Sequence, residues 1–88
     1  MNSSVYILEL HNGQYYIGST PDLKRRLSDH QLGRVISTKG KLPLRLVFHH
    51  EFDSLIKARQ TEYKLKKYKN KSIIKQIISD QHIKFLGS

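Results

Sequence analysis

Three stretches of the chain have the apolar pattern of β-strands. Residues 5–10 are mostly β-branched, aromatic or aliphatic, and this composition predicts a strand. Asn12-Gly13 follows, a dipeptide typical of tight hairpin turns, and residues 15–18 then predict a returning strand. Residues 44–50 form the third candidate. The pattern therefore predicts a β-hairpin at the start of the chain and a later strand that completes a small sheet.

A helix is predicted directly after the hairpin. Thr20 can cap its start, Pro21 suits its first position, and Asp22 suits the positive end of the helix dipole. We expect this helix to run to about Leu32 and to stop at Gly33, because the apolar spacing ends there.

Residues 33–43 predict an exposed loop. They contain two glycines, a proline and the basic residues Arg34, Lys39 and Lys41. Glycine and proline interrupt regular structure, and no apolar period continues through the segment. We therefore expect a mobile, positively charged flap that can reach towards an anionic partner.

Two further helices are predicted in the second half of the chain. A long one should cover about residues 54–68, capped by Asp53 or Ser54. A shorter one should start at Asn70 or Ser72 and run to about Ser79. The last segment, residues 81–88, could dock as an edge strand or simply cover the core.

Charge narrows the choice of partner. Sixteen Lys and Arg residues face seven Asp and Glu residues, which leaves a formal charge of +9 on 88 residues. This excess favours polyanions, nucleic acid first and an anionic membrane surface second. A general bias towards solubility, without a specific partner, is the alternative.

Since 88 residues is the size of one domain, we expect a single domain over residues 1–88.

The chain contains no cysteine, which excludes disulfides and thiolate metal sites and suits a protein of the reducing cytoplasm. The first residues lack the basic start and apolar run of a secretory signal peptide. No segment approaches the roughly 18 consecutive apolar residues that a membrane-spanning helix needs. We therefore expect no transmembrane helix and no membrane partner.

Polar side chains interrupt the apolar stripe of the first predicted helix. Leu23, Leu27 and His30 share one face, and Arg26 borders it. The adjacent Arg25 points elsewhere, towards water. His30 could be a histidine at the edge of the core, and Arg26 a side chain that extends past the core into solvent. Alternatively, both face a functional site.

Glu62 interrupts the stripe of the long helix in the same way. It shares one face with Leu55, Ala58 and Leu65, in a helix that is otherwise rich in lysine and arginine. An ionised carboxylate in such a place needs a partner. The partner could be Lys66, one turn further on, or a hard cation such as Mg²⁺, which commonly binds one or two carboxylates.

Tyrosine is frequent, with five residues and no tryptophan. Tyr6 and Tyr16 lie on the two strands of the predicted hairpin, where a phenol could pack or could contact a base or phosphate. His49 and His50 are neighbours on a strand, so their side chains should point to opposite faces and cannot hold one ion together.

The spacing of these polar residues resembles that of the GIY-YIG nuclease family. A Tyr on the first strand, a Tyr-Ile-Gly on the second, and a later Arg, His and helical Glu are its shared features. They correspond to Val5-Tyr6, Tyr16-Ile17-Gly18, Arg26, His30 and Glu62. The segment from Tyr16 to His30 is most similar to short stand-alone bacterial members of the UPF0213 type, which are related to the N-terminal nuclease domain of the bacterial repair excinuclease.

The resemblance implies a fold. Members of this family have an α+β fold in which a three-stranded antiparallel sheet is flanked by about three helices. Their active face is formed by the hairpin, the first helix and the long helix. Ser4 stands here where the name motif has its first glycine, and strand backbone tolerates this change. Gly18 would let the backbone turn beneath the site, and Asn70 is a possible match to a polar Asn late in the domain.

The resemblance also implies a reaction, the hydrolysis of phosphodiester bonds in DNA, with RNA not excluded. Glu62 would hold one Mg²⁺ or Mn²⁺ ion, and Arg26 would neutralise charge on the phosphate. Tyr6 would activate or orient the attacking water, provided that nearby cations lower its pKa. Tyr16 would position water or phosphate, and His30 would hydrogen-bond a tyrosine or relay a proton.

Two other functions remain open from the sequence. The fold could serve as a binding module that grips nucleic acid without cutting it, or as a basic adaptor for an acidic protein. If the protein binds nucleic acid, whether or not it cleaves it, exposed cations should contact the backbone phosphates. The candidates are Arg25, Arg34, Lys39, Lys41 and Lys66. A partner protein or a weak homodimer would extend the small surface of one domain.

Overall fold

The computed structural model describes residues 2–68 and 70–83. It contains three strands, β1, Ser3–Glu9, β2, Tyr15–Thr20, and β3, Arg45–Phe52. Within the described residues they form one antiparallel sheet in the order β2-β1-β3, so that β1 is central and β2 is an edge strand. The predicted α+β fold with a three-stranded antiparallel sheet is therefore confirmed.

The hairpin between β1 and β2 forms where Asn12-Gly13 predicts it. Gly13 adopts a φ of 83°, which an L side chain rarely tolerates. The Asn12 side-chain oxygen accepts from the Gln14 backbone N–H at 3.1 Å, and the Leu10 N–H donates to the Gln14 carbonyl at 2.8 Å. These bonds close the turn and fix the register of the two strands.

Four helices are described, one more than predicted. They are α1, Leu23–Gln31, α2, Ile36–Lys39, α3, Leu55–Lys67, and α4, Lys71–Asp80. Ser54 caps α3 and Asn70 caps α4, each by accepting a backbone N–H with its side chain. No helix in the described ranges has the length and hydropathy needed to cross a membrane.

The start of α1 corrects a prediction. Asp22, and not Thr20, is the cap, because its carboxylate accepts the Arg25 backbone N–H at 3.1 Å. Thr20 is the last residue of β2, and its hydroxyl accepts the Asp22 backbone N–H at 3.0 Å. Pro21 consequently precedes the cap instead of occupying the first turn. The end agrees with expectation, since Gly33 adopts a φ of 75° directly after the helix.

The segment 33–43 also differs from the predicted exposed loop. It contains α2, and the side chains of Val35 and Thr38 in this region are buried. The Lys41 carbonyl accepts the His11 backbone N–H at 3.0 Å, which ties the segment to the hairpin. The sequence pattern missed this because a helix of four residues is too short to show an apolar period.

The sheet separates two apolar clusters. On one face, Val5, Ile7 and Ile17 pack with α3 and α4, and Ile83 is fully buried among them. On the other face, Tyr6 and Leu8 pack with side chains of α1. The prediction for the last segment is met in part, because Ile83 covers the core, while residues 84–88 lie outside the described residues.

Candidate active site

Tyr6 occupies the centre of the sheet and lies against Gly18. The two residues are partners in the β1–β2 register, and the Tyr6 side chain is 1% exposed. A Cβ atom at position 18 would lie 2.5 Å from the Tyr6 hydroxyl oxygen and 2.6 Å from the ring carbon that bears it. Gly18 is therefore required because a tyrosine ring crosses it. The expected turn of the backbone at Gly18 is wrong, since the residue lies within β2.

A chain of hydrogen bonds runs from Tyr6 into α2. The Tyr6 hydroxyl oxygen lies 2.9 Å from His30 Nε2, and His30 Nδ1 lies 2.9 Å from the Thr38 hydroxyl oxygen. The Thr38 hydroxyl can donate to the Val35 carbonyl at 3.5 Å, so its oxygen is left to accept the His30 Nδ1–H. In this tautomer His30 Nε2 accepts the proton of Tyr6. His30 and Thr38 are both 0% exposed.

Tyr16 joins this group from β2. Its ring centroid lies 4.9 Å from that of His30 at an interplanar angle of 66°, and 6.3 Å from that of Tyr6. Such an edge-to-face contact is favourable between aromatic rings. Tyr16 is half-buried, so part of its side chain remains open to a substrate.

Arg26 approaches the two tyrosines from α1. Hydrogen bonding and charge interaction with Tyr6 raise the pKa of Arg26 above its ordinary value, and Tyr16 contributes in the same direction. Arg26 is partly buried, whereas the adjacent Arg25 is exposed. The predicted difference between the two arginines is therefore confirmed in their burial.

Burial controls the titration of the Tyr6–His30 pair. Burial raises the pKa of Tyr6 to about 12, although Arg26 acts to lower it. The mechanism implied by the resemblance requires nearby cations, Arg26 and a bound metal, to lower this pKa, and Arg26 alone does not offset the loss of water around the buried phenolate. Burial and the charge of Arg26 lower the pKa of His30 to about 4, with Asp29 opposing. At neutral pH the Tyr6 phenol is protonated and His30 is neutral.

Glu62 lies beside β2 on the opposite face of the sheet from Tyr6 and His30. The Ser19 hydroxyl donates to one oxygen of its carboxylate, and Lys66 Nζ lies 2.5 Å from the other. The side chain is 21% exposed. Lys66 is one of the two partners that the sequence suggested for this carboxylate, the other being a hard cation. Ser19 was missed, although it directly follows the Tyr-Ile-Gly motif.

These residues surround the open edge of β2 from both faces of the sheet. Tyr6 crosses Gly18 on the face that packs with α1, whereas Ser19 points to the face that carries α3 and Glu62. Because no strand within residues 2–68 and 70–83 pairs with the outer side of β2, a phosphate can approach this edge between the two groups. The arrangement can therefore hold an anion between Arg26 and the Glu62 side of the strand.

The donors at Glu62 suit one partly hydrated hard cation. In the described part of the chain, no group of three His, Asp or Glu side chains forms a cage. A single carboxylate with a hydroxyl beside it nevertheless matches the way Mg²⁺ binds when water and phosphate supply its other ligands. Lys66 now neutralises this carboxylate and would have to yield to the ion.

The remaining predicted residues lie further out. Arg34 and Lys39 are exposed, Lys41 is partly buried, and Arg34 pairs with Asp29 at 3.5 Å. His49 is the partner of Tyr6 in the β1–β3 register, and its side chain is exposed. Contact of these cations with phosphate stays a prediction.

The family model of the GIY-YIG catalytic domain matches residues 2–76. The chain belongs to the GIY-YIG family. The resemblance predicted from the motif is thus confirmed, and so is the nuclease type of the fold. Ser4, which replaces the first glycine of the name motif, is buried within β1 opposite Thr20.

Several UPF0213 proteins are similar to this GIY-YIG chain. The one from Streptococcus pneumoniae is 39% identical over 66 residues, which cover 74% of this chain and 67% of that protein. The one from Halobacterium salinarum is 38% identical over 63 residues, covering 70% and 82%. The solution NMR structure of a UPF0213 protein from Bacillus halodurans has a TM-score of 0.58 and 38% identity, and the match covers 90% of this chain and 84% of that one.

Proposed function

We propose that this protein is a metal-dependent endonuclease that hydrolyses phosphodiester bonds in DNA. One observation carries the proposal: a buried Tyr6–His30 hydrogen bond and Arg26 lie on one side of the β2 edge, with Glu62 on the other. GIY-YIG domains are generally endonucleases that act on DNA. The charge of +9 supplies the attraction for the phosphate backbone.

Tyr6 and His30 would remove the proton from the attacking water. The high pKa of Tyr6 keeps the phenol protonated, so it cannot act as a preformed base. It can accept a proton from water while it passes its own proton to His30 Nε2, 2.9 Å away. The low pKa of His30 leaves that nitrogen unprotonated at neutral pH, and the weak basicity that goes with it means that the proton moves only as the water attacks. Water oxygen then attacks phosphorus as the bond to the leaving 3′ oxygen breaks.

Arg26 would bind the phosphate oxygens on which negative charge increases. Its guanidinium is already oriented by the hydroxyls of Tyr6 and Tyr16. A donor that is oriented before the reaction needs no reorganisation when the charge develops. Tyr16, half-buried at the same place, would position the water or the phosphate.

Glu62 would hold the Mg²⁺ or Mn²⁺ ion. When bound, the ion would polarise the scissile phosphate and stabilise the negative charge of the leaving oxygen. Ser19 orients the Glu62 carboxylate through its hydroxyl. Lys66 would move from the carboxylate to a neighbouring phosphate, which keeps the total charge at the site balanced.

A small cationic domain of this kind would cleave with low sequence specificity or according to DNA structure, because it covers few base pairs. Repair or recombination in the cytoplasm is the setting that we propose. The lack of cysteine suits that compartment. A partner protein or weak dimer would supply further selectivity.

Nicking of supercoiled plasmid and cleavage of a branched oligonucleotide test the proposal, with Mg²⁺, Mn²⁺ or a chelator present. Glu62→Gln should abolish metal-dependent cleavage and leave DNA binding nearly unchanged. Glu51→Gln is the matched control, because Glu51 is exposed on β3, which is separated from β2 by the central strand β1. Equal activity of wild type and Glu62→Gln would overturn the assignment.

A nucleic-acid-binding module without cleavage is the second candidate. The observation that favours it is the Lys66–Glu62 ion pair, which neutralises the carboxylate that a metal would need. Salt-sensitive DNA binding by wild type and Glu62→Gln, with cleavage by neither, would support this alternative.

A further inference from the structure

A cavity of about 510 Å³ lies beside the open edge of β2, next to the candidate active site. Tyr15, Tyr16 and Ile17 form its floor along the strand. The region of α2 contributes Ser37 and Lys41, and the start of α4 contributes Asn70 and Lys71. The cavity therefore spans from one face of the sheet to the other across the strand edge.

Backbone donors of β2 point into this cavity. The Leu10 N–H donates to the Gln14 carbonyl, so these opposed residues form a hydrogen-bonded pair. Pairs alternate along an antiparallel ladder, and the N–H groups of Tyr15 and Ile17 must accordingly point away from β1. Since β2 is an edge strand among the described residues, the N–H and C=O groups of Tyr15 and Ile17 both face the cavity.

The residues that line the cavity suit a ligand in which an anionic group is attached to an aromatic ring. Lys41 and Lys71 are cationic, and none of the described residues that line the cavity is acidic. Tyr15 is half-buried against the main core cluster and also lines the cavity, so its ring is held in place. Gln14 and Asn70 add side-chain amides, which can hydrogen-bond the edge of a base.

We infer that this cavity binds a nucleotide of the cleaved strand, next to the scissile phosphate, with its phosphate on Lys41 and Lys71 and its base against Tyr15. The inference rests on the proposed function and names a position for its substrate. Tyr16 links the cavity to the candidate active site, because it lines the cavity while its ring contacts His30. Ile17 is two residues from Ser19, a distance of about 7 Å along the strand.

Such a site selects for an unpaired nucleotide. A base that enters a cavity between α2 and α4 cannot remain stacked in a duplex, and unstacking is easiest at single-stranded, bulged or branched positions. The cavity thus favours DNA in which the strand beside the cut is already unpaired.

The first test measures binding of single-stranded tetrathymidylate by NMR in the presence of a chelator. We expect the amides of Tyr15 and Ile17 to shift. The double variant Lys41→Gln with Lys71→Gln should bind at least about fivefold more weakly, and its salt slope should fall by about 1.4. Lys75→Gln, one turn further along α4 and outside the cavity, is the control and should behave as wild type.

The second test separates the base from the phosphate. Tyr15→Leu should weaken binding of tetrathymidylate roughly tenfold and leave binding of an abasic tetranucleotide unchanged, because only the former can stack. Thermal unfolding of each variant controls for loss of fold. Equal affinity of inorganic phosphate and tetrathymidylate would show a simple anion site and overturn the inference.

The two proposals fail separately. If wild type nicks plasmid but the double lysine variant binds tetrathymidylate as wild type does, the cavity inference is wrong and the nuclease stands. If Glu62→Gln nicks as wild type does, the proposed function is wrong, whatever the cavity binds.

Discussion

The Tyr6 ring crosses β2 at Gly18, so closely that a single added methyl group would overlap the phenol. The Cβ of an alanine there would lie 2.5 Å from the hydroxyl oxygen and 3.0 Å from a second ring carbon. The third residue of the Tyr-Ile-Gly motif is thus explained by contact with the tyrosine of the other strand. Its backbone conformation gives no such reason, because Gly18 lacks the positive φ of Gly13 and Gly33.

Gly18→Ala should therefore lower the rate of plasmid nicking by about 10²-fold or more, since it displaces the Tyr6 hydroxyl from His30 and from the position of the attacking water. Overpacking should also reduce the free energy of unfolding by about 1–3 kcal/mol. Gly40→Ala is the matched control, because no atom lies within 4 Å of a Cβ at that position. Nicking by Gly18→Ala at the rate of Gly40→Ala would contradict this explanation.

Burial of neutral His30 should make the fold sensitive to acid. Its pKa of about 4 in the folded chain lies below the ordinary 6.5, so the unfolded chain binds the proton more readily. The contribution to stability is complete above about pH 6.5 and is lost as the pH falls towards 4. At about pH 4.5 it should have decreased by about 2 to 3 kcal/mol.

Urea unfolding of wild type and His30→Gln at about pH 7 and pH 4.5 measures that contribution as a difference between the two proteins. His11→Gln, at an exposed position in the turn between β1 and β2, should lose as much stability in acid as wild type does. A His30→Gln protein that loses as much stability in acid as wild type would show that another group is responsible.

Thr38 should act on the reaction through His30. Thr38→Val keeps the shape of the side chain but removes the oxygen that accepts the His30 Nδ1–H. The tautomer that leaves Nε2 free would lose its support, and we expect the nicking rate to fall about tenfold, the equivalent of one hydrogen bond. Thr38→Ser should restore it. Nitrogen chemical shifts of the His30 ring check the tautomer directly, and an unchanged tautomer in Thr38→Val would exclude this role.

The two arginines of α1 should differ in their effect on catalysis. Arg26→Ala removes the donor beside Tyr6 and Tyr16 and should lower the rate by about 10²–10³-fold. Arg25→Ala removes an exposed cation and should change mainly the salt dependence of DNA binding. Comparable losses of rate in the two variants would contradict the assignment of their faces.

The helical period alone separates Arg26 from Arg25 and places Glu62 and His30 on inward faces. It can do so because residues three or four apart share one side of a helix, whatever the rest of the chain does. The three strands are equally visible in the sequence, since each has a run of β-branched and aromatic side chains.

Contacts between distant segments are not visible in the same way. Thr38 and Ser19 are small polar residues with no periodic signal, and their roles depend on which side chain the fold brings to them. The effect of burial on the Tyr6 pKa is hidden in the sequence for a related reason. Arg26 can be identified in the sequence, whereas the depth at which the phenol is buried depends on the packing of α1 against the sheet.

The lysines around β2 have a second consequence. An uncovered edge strand exposes free backbone donors and acceptors, and these invite pairing with a strand of another molecule. Lys41, Lys66 and Lys71 border this edge, where each lines a cavity together with residues of β2. Two copies of the protein that met edge to edge would bring like charges together. The cations that attract DNA therefore also keep the strand from aggregating, so variants designed to weaken DNA binding at these positions should be checked for self-association.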